Sequence, residues 1–175
     1  MLMKRNAYLL LLLVVATFTG CKKEKIEYSN EFEKSAKVWT AFKNASNNSY
    51  SYTTNTGSWT GYSSETTLTI VNGKIIGRTF ISKGFKDNSN TVVVLEQWQE
   101  DESSLNTHQS GASLLTLDQV YELAKNELLL KRDNAKVSFE AKNNGLISSA
   151  GYIENGCQDD CFMGINIKSI SKYVP

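Results

Sequence analysis

The chain has 175 residues, 41% of them hydrophobic and 21% charged, with 19 Lys and Arg against 18 Asp and Glu and a formal charge of +1. That balance excludes the basic footprint of a nucleic-acid binder, and it leaves no polybasic cluster for anionic lipid heads. A chain of this length with one proline, no Gly-rich linker and no fixed repeat suits one domain around one core.

The first twenty residues stand apart. Lys4 and Arg5 precede an unbroken apolar run, Ala7 to Phe18, and Thr19-Gly20 then lead to Cys21. Charged start, apolar middle and small-residue exit are the marks of a secretory signal. The run is shorter than the roughly 18 apolar residues that cross a bilayer, and the polar stretch CKKEKIEYSNEFEK follows at once. FTGC, residues 18–21, resembles the lipobox of bacterial lipoproteins, with Phe18 and Thr19 in place of the more usual Leu and Ala or Ser. The resemblance implies that residues 1–20 are a signal peptide and that Cys21 carries diacylglycerol on its sulfur and an acyl group on its amine. Each buried methylene contributes about 0.8 kcal/mol, so two or more chains anchor stably where one does not. Residues 21–30 then form a lipidated tether, and residues 31–175 form the domain. The segment CKKEKIE lacks the acidic run that resembles a surface-export signal, which implies a protein on the outer membrane that faces the periplasm.

Residues 29–45, SNEFEKSAKVWTAFKNA, space Phe32, Ala36, Trp39 and Phe42 as a helix does, with Ser29 or Asn30 as the expected cap. The period then changes. NSYSYTTNT (48–56) and TTLTIV (66–71) alternate as strands do, and Asn72-Gly73 is a strong hairpin signal that leads into KIIGRTFIS (74–82). TVVVLEQWQE (91–100) is a fourth strand, expected to set Val92, Val94, Glu96 and Trp98 on one face. Residues 100–113 read as a polar, solvated loop. Thr116 with Gln119 forms a capping box for a second helix over TLDQVYELAKNELLLKRD, closed by Lys131 and Arg132. AKVSFEAK (135–142), LISSAGYIE and FMGINIKSI (162–170) supply three more strands, turned by Asn144-Gly145 and by the loop NGCQDDC. The order α-ββββ-α-βββ predicts a single α+β domain: an antiparallel sheet of about seven strands with the helices on one face.

The pattern W…YSY…LTIVNGKI…TLDQVYELA…VSFE…NGLISSAGYIE…DDC…INI resembles uncharacterised families of small bacterial lipoproteins over about Trp39 to Ile170. The resemblance implies an envelope location and this fold class. It lends no catalytic residue.

The cysteines follow from the compartment. With Cys21 lipidated, Cys157 and Cys161 remain as an even pair in an oxidising space, so a disulfide is expected. A zinc site needs about four ligands, and the one histidine, His108, is far away in sequence. Asp159 and Asp160 fall short of the six or more oxygens of a calcium loop. Three residues between the cysteines, rather than two, argue against a thioredoxin-like centre. No metal and no other cofactor are expected.

No catalytic set assembles in the sequence. His108 lacks a recognisable nucleophile motif, Ser110 and Ser113 lie in a Ser/Thr-rich loop, and Glu100, Asp101 and Glu102 read as solvated acids. The aromatic residues are the least ordinary feature. Tyr50 and Tyr52 alternate as core-facing strand residues do, whereas Trp59 and Tyr62 flank a Gly-rich turn and are candidate ligand contacts. Three functions are therefore open: a lipid-anchored module that binds a protein or peptide, a binder of a glycan or small molecule through Trp59 and Tyr62, and a hydrolase.

Overall fold

A computed structural model describes residues 25–86, Ser89 and residues 91–174. Residues 1–24 lie outside it, and with them the expected signal peptide, the lipobox-like FTGC and Cys21. The elements are α1 (Ser29–Ala45), β1 (Tyr50–Gly57), β2 (Ser63–Val71), β3 (Lys74–Phe85), β4 (Val92–Asp101), α2 (Leu117–Leu123), β5 (Ala135–Glu140), β6 (Ser149–Glu154) and β7 (Met163–Lys172). The seven strands form one antiparallel sheet in the order β4-β3-β2-β1-β7-β6-β5. The α+β class and the α-ββββ-α-βββ order are as expected. β1 to β4 step outward from the centre. The chain then crosses over by α2 to the opposite edge, and β5 to β7 step back in.

The core lies between the sheet and the two helices. α1 buries Phe32, Ser35 and Trp39, residues a turn apart on one stripe. It starts from Tyr28 in a left-handed conformation (φ 57°) with no side-chain cap, so neither Ser29 nor Asn30 caps it. Glu31 in its first turn and Lys43 in its last complement the helix dipole instead. Trp39 stacks on Tyr121 with ring centres 6.1 Å apart and meets Tyr50 edge-on at 5.2 Å.

α2 opens with the expected capping box of Thr116 and Gln119. Two sheet tyrosines fasten that start. The Leu117 N–H donates to Tyr50 Oη at 2.9 Å, which satisfies one of the orphan donors of the first turn. Tyr52 Oη donates to the Leu115 carbonyl at 2.5 Å. Tyr50 and Tyr52 are thus core residues.

Beyond Leu123 the expected long helix becomes a π-helical turn, Ala124–Leu128, closed by Leu129 N–H to the Ala124 carbonyl. Three consecutive leucines explain this. The wider turn delivers Leu129 to the core, and the chain then leaves the helix so that Leu130 bridges to Ile26. Arg132 closes the end by donating to the carbonyls of Glu127 and Leu130 while lying 3.8 Å over the Tyr152 ring. Residues 25–27, within the stretch expected to be tether, join the folded body: Glu27 N–H donates to the Leu129 carbonyl and Lys131 N–H to that of Lys25.

A β-bulge corrects the expected alternation in β4. Ser82 pairs with Glu96, but the next residue, Lys83, pairs with Val94, so Leu95 is extra. Glu96 and Trp98 share the helix-side face with Ser82 and Phe80, whereas Val92 and Val94 pass to the other face.

Burial raises the Tyr50 phenol to about 12, with Asp118 adding to the rise and the Leu117 N–H opposing it; burial raises Tyr52 and Tyr121 as well. A raised phenol stays neutral in the folded state while its unfolded counterpart ionises, so its contribution to stability fades as pH climbs above the ordinary value of 10. Each such tyrosine should cost about 1.4 kcal/mol per pH unit in that window. Urea midpoints compared at pH 8 and pH 11 should fall steeply, and Tyr50→Phe should flatten the fall. An unchanged midpoint would contradict the burial of these phenols.

Candidate functional site

The two faces of the sheet are unlike. Helices cover one face over β1, β7, β6 and β5, and loop 102–116 covers the same face over β2, β3 and β4. An ion pair holds that loop down. Arg78 donates from Nε to Glu100 Oε2 at 2.9 Å and from Nη2 to Oε1 at 3.0 Å, both side chains being buried. The guanidinium also donates to the carbonyls of His108 and Ala112. Glu100 in turn accepts from the N–H groups of Asn106 and His108. Glu100 is therefore a buried anchor, not one of three solvated acids.

This network absorbs the residues a hydrolase would need. His108 Nδ1 lies 3.1 Å from Glu100 Oε1, and its ring stacks on Trp98 at 4.3 Å. Ser110 is committed elsewhere: its Oγ donates to Glu96 at 2.7 Å and accepts from Trp98 Nε1 at 3.1 Å. Among the described residues no hydroxyl hydrogen-bonds to His108 Nε2. Thr107 Oγ1 lies 3.5 Å from His108 Nδ1 but donates to the Ser104 carbonyl at 2.8 Å. Nor is any group of three or more His, Cys, Asp or Glu placed to hold a metal among the described residues.

Cys157 and Cys161 are bonded, with Cα atoms 6.1 Å apart. Their loop packs back on the sheet. The Phe162 ring lies over Gly151 and Gly164, which face each other across β6 and β7, so the glycines leave room for an aromatic cover. Asp160 accepts from Ser58 Oγ at 2.6 Å, tying this loop to the β1–β2 turn. A bridge closing so small a ring contributes about 2 kcal/mol. Reduction should therefore lower stability by about that amount and leave the domain folded; unfolding on reduction, seen by circular dichroism, would contradict this.

That turn carries the two candidate ligand contacts. Trp59 is 77% exposed and Tyr62 41%. Phe85 packs against Gly61 between them, a position with φ +85° where a Cβ would clash with the ring. Tyr62 walls a cavity of about 300 Å³ with Thr54, Thr66, Phe80, Ser110 and Gly111. Trp59 is not in that wall, so the structure does not bring the two aromatics into one site.

No protein family, curated protein or solved structure matches the chain.

Among the described residues no helix lies on the opposite face of the sheet, and the Phe162 ring covers it at Gly151 and Gly164. Short polar side chains line it: one rung runs Ser169, Thr53, Thr67, Thr79 and Gln99 across five strands. Twist makes it concave in two places, one of about 500 Å³ beside Thr67, Thr79 and Gln97 and one of about 660 Å³ beside Asn55, Ser138 and Asn166. Two of its charges are paired, Lys168 with Glu65 and Lys142 with Glu140, and Lys83 and Lys136 stand exposed on the same face. Sequence reasoning placed the strands but did not single out this face or the Arg78–Glu100 pair. One signal was available: Arg78 holds an inward register position two residues before Phe80, and Glu100 is in phase with Trp98.

Proposed function

We propose that the protein is a lipid-anchored module of the bacterial cell envelope, held to the outer membrane through Cys21 and facing the periplasm, that binds a protein or peptide partner and performs no catalysis. The lipobox-like leader supports the anchor. The observation that carries the binding role is the helix-free face of the sheet, whose hydroxyl and amide groups and two concavities offer hydrogen bonds across neighbouring strands. Metabolic labelling with an alkynyl fatty acid should tag the wild type and not Cys21→Ser; labelling of both would reject the anchor. A photo-crosslinking residue at Thr79 should capture one defined envelope component that the same residue at Lys37, on α1, does not. Equal capture at both positions would reject the helix-free face as the contact.

The hydroxyl-lined cavity behind Tyr62 favours a second reading, a site for a glycan or other polyhydroxylated molecule. Calorimetry with cell-wall oligosaccharides, repeated on Tyr62→Ala, tests it; heats that do not change with the substitution would dismiss it.

A further inference from the structure

The sheet has an apolar end and a polar end. β7 runs antiparallel to β1, and Ala135 pairs with Glu154, so the β1–β2 turn, the β3–β4 turn, the β6–β7 loop and the start of β5 share one end. The exposed large apolar side chains among the described residues gather there: Trp59, Tyr62, Phe85, Val92, Ile153 and Met163. Val94 and Leu95 follow directly along β4, and only Tyr28, Val38 and Val174 lie elsewhere. The opposite end is capped by Asn47-Asn48, Asn72-Gly73 and Asn143 to Gly145. Single exposed apolar residues are ordinary, but their collection on one end marks a contact surface.

The N-terminal segment joins the body at that same apolar end. Ile26 bridges to Leu130 in the connection that leads into Ala135, the first residue of β5. From Lys25 back to Cys21 is four residues, at most ~14 Å of extended chain. Strands lie about 4.8 Å apart, which puts the β1–β2 turn about 17 Å across the sheet from β5. A leash this short keeps the body against whatever surface the lipid on Cys21 enters, and it is fastened on the apolar side.

We propose that this end of the sheet rests in the phospholipid interface, with Trp59 and Phe85 entering the boundary between headgroups and acyl chains and Tyr62 at headgroup level. The proposal rests on the lipid anchor proposed above. Trp and Tyr favour that zone because the ring sheds water while the N–H or O–H stays wet. Glu154 and Asp159 lie on the β6–β7 side, whereas Asp160 reaches the β1–β2 turn and accepts from Ser58 Oγ beside Trp59; the contact centres on the β3–β4 corner, which among the described residues Lys83 and Lys86 flank. Insertion is driven by apolar area rather than net charge, and uncharged phosphatidylcholine is sufficient.

The test uses the lipidated full-length protein in phosphatidylcholine vesicles with brominated acyl chains. The emission of Trp59 is isolated as the difference between wild type and Trp59→Phe. It should be quenched to roughly half or less of its value in unbrominated vesicles, because bromine quenches only what reaches the acyl boundary. The remaining tryptophans, buried Trp39 and half-buried Trp98, should not respond. Unquenched Trp59 in protein shown to carry lipid overturns the proposal and assigns the apolar end to a protein partner. If Cys21 proves unlipidated, the anchor fails by itself, and Cys21→Ser protein then tests the surface alone. Its co-sedimentation with vesicles should drop by about tenfold or more when Trp59 and Phe85 are both replaced by alanine; no sedimentation of the parent protein overturns the proposal.

Discussion

Glu100→Gln should lower stability by about 3–5 kcal/mol, because it removes one partner of a buried ion pair and strands the other. Arg78 sits under loop 102–116 with its side chain 3% exposed, so no water reaches the orphaned guanidinium. The melting temperature should fall by roughly 6–20 °C for a chain of this size, and loop 102–116 should become sensitive to proteases. Replacing both partners at once, Arg78→Met with Glu100→Leu, should recover much of the loss, since the desolvation penalty disappears with the charges. The Arg78 guanidinium, helped by the N–H groups of His108 and Asn106, holds the Glu100 carboxyl well below the usual carboxylate range against the opposing effect of burial. A lowered carboxylate contributes its stability in full above the ordinary value of 4.5 and loses it as pH falls below that. Wild type should therefore weaken below about pH 4.5, and Glu100→Gln should lack that share of the acid sensitivity. A variant as stable as wild type in urea would mean that the pair does not anchor the loop.

Gly164→Ala should cost about 3 kcal/mol or more, an unusual figure for one methyl group. A Cβ there would collide with the Ala150 carbonyl oxygen and lie 2.6 Å from Gly151 Cα and 2.8 Å from the Phe162 ring. The first two are backbone atoms of β6, so β6 and β7 must part, and the ring must shift as well. Gly156→Ala is the control. That glycine has φ +84° but nothing within 4 Å, so it should cost only the about 1–2 kcal/mol of a left-handed alanine. Equal losses at both positions in thermal melts would locate the effect in backbone conformation rather than in the close approach of two strands.

Much of this architecture was legible in the chain. Asn72-Gly73 adopts φ of 49° and 80°, the pair of positive angles that its sequence demands in a two-residue hairpin. Thr116 and Gln119 form their capping box because both bonds are local. Alternation located Tyr50 and Tyr52 in the core, where they pair with buried Ile70 and Leu68. Apart from the cap of α1, the misreadings are non-local. Glu100 looks like its acidic neighbours until Arg78 arrives from a strand 22 residues earlier. The bulge at Leu95 depends on what β3 offers opposite it, and the π-turn depends on where the core needs Leu129. Of the candidate sites, the cysteine pair was readable because, with Cys21 set aside, two cysteines allow one pairing. Tyr62 and Trp59 were readable as unusual but not as separate, because the turn between them sends one toward a cavity and the other into solvent.

The order of strands also dictates when the sheet can be completed. β1 to β4 are neighbours in sequence, as are β5 to β7, so each group can assemble from short-range pairings. The seam between the groups is the pairing of β1 with β7, where Tyr50 meets Lys172 across nearly the whole chain. While the chain emerges N-terminus first, the inner flank of β1 therefore stays open until the last strand is free, and the half that forms early carries an unpaired edge through that interval. Any helper that shields nascent strands would find its target on Tyr50 to Thr54.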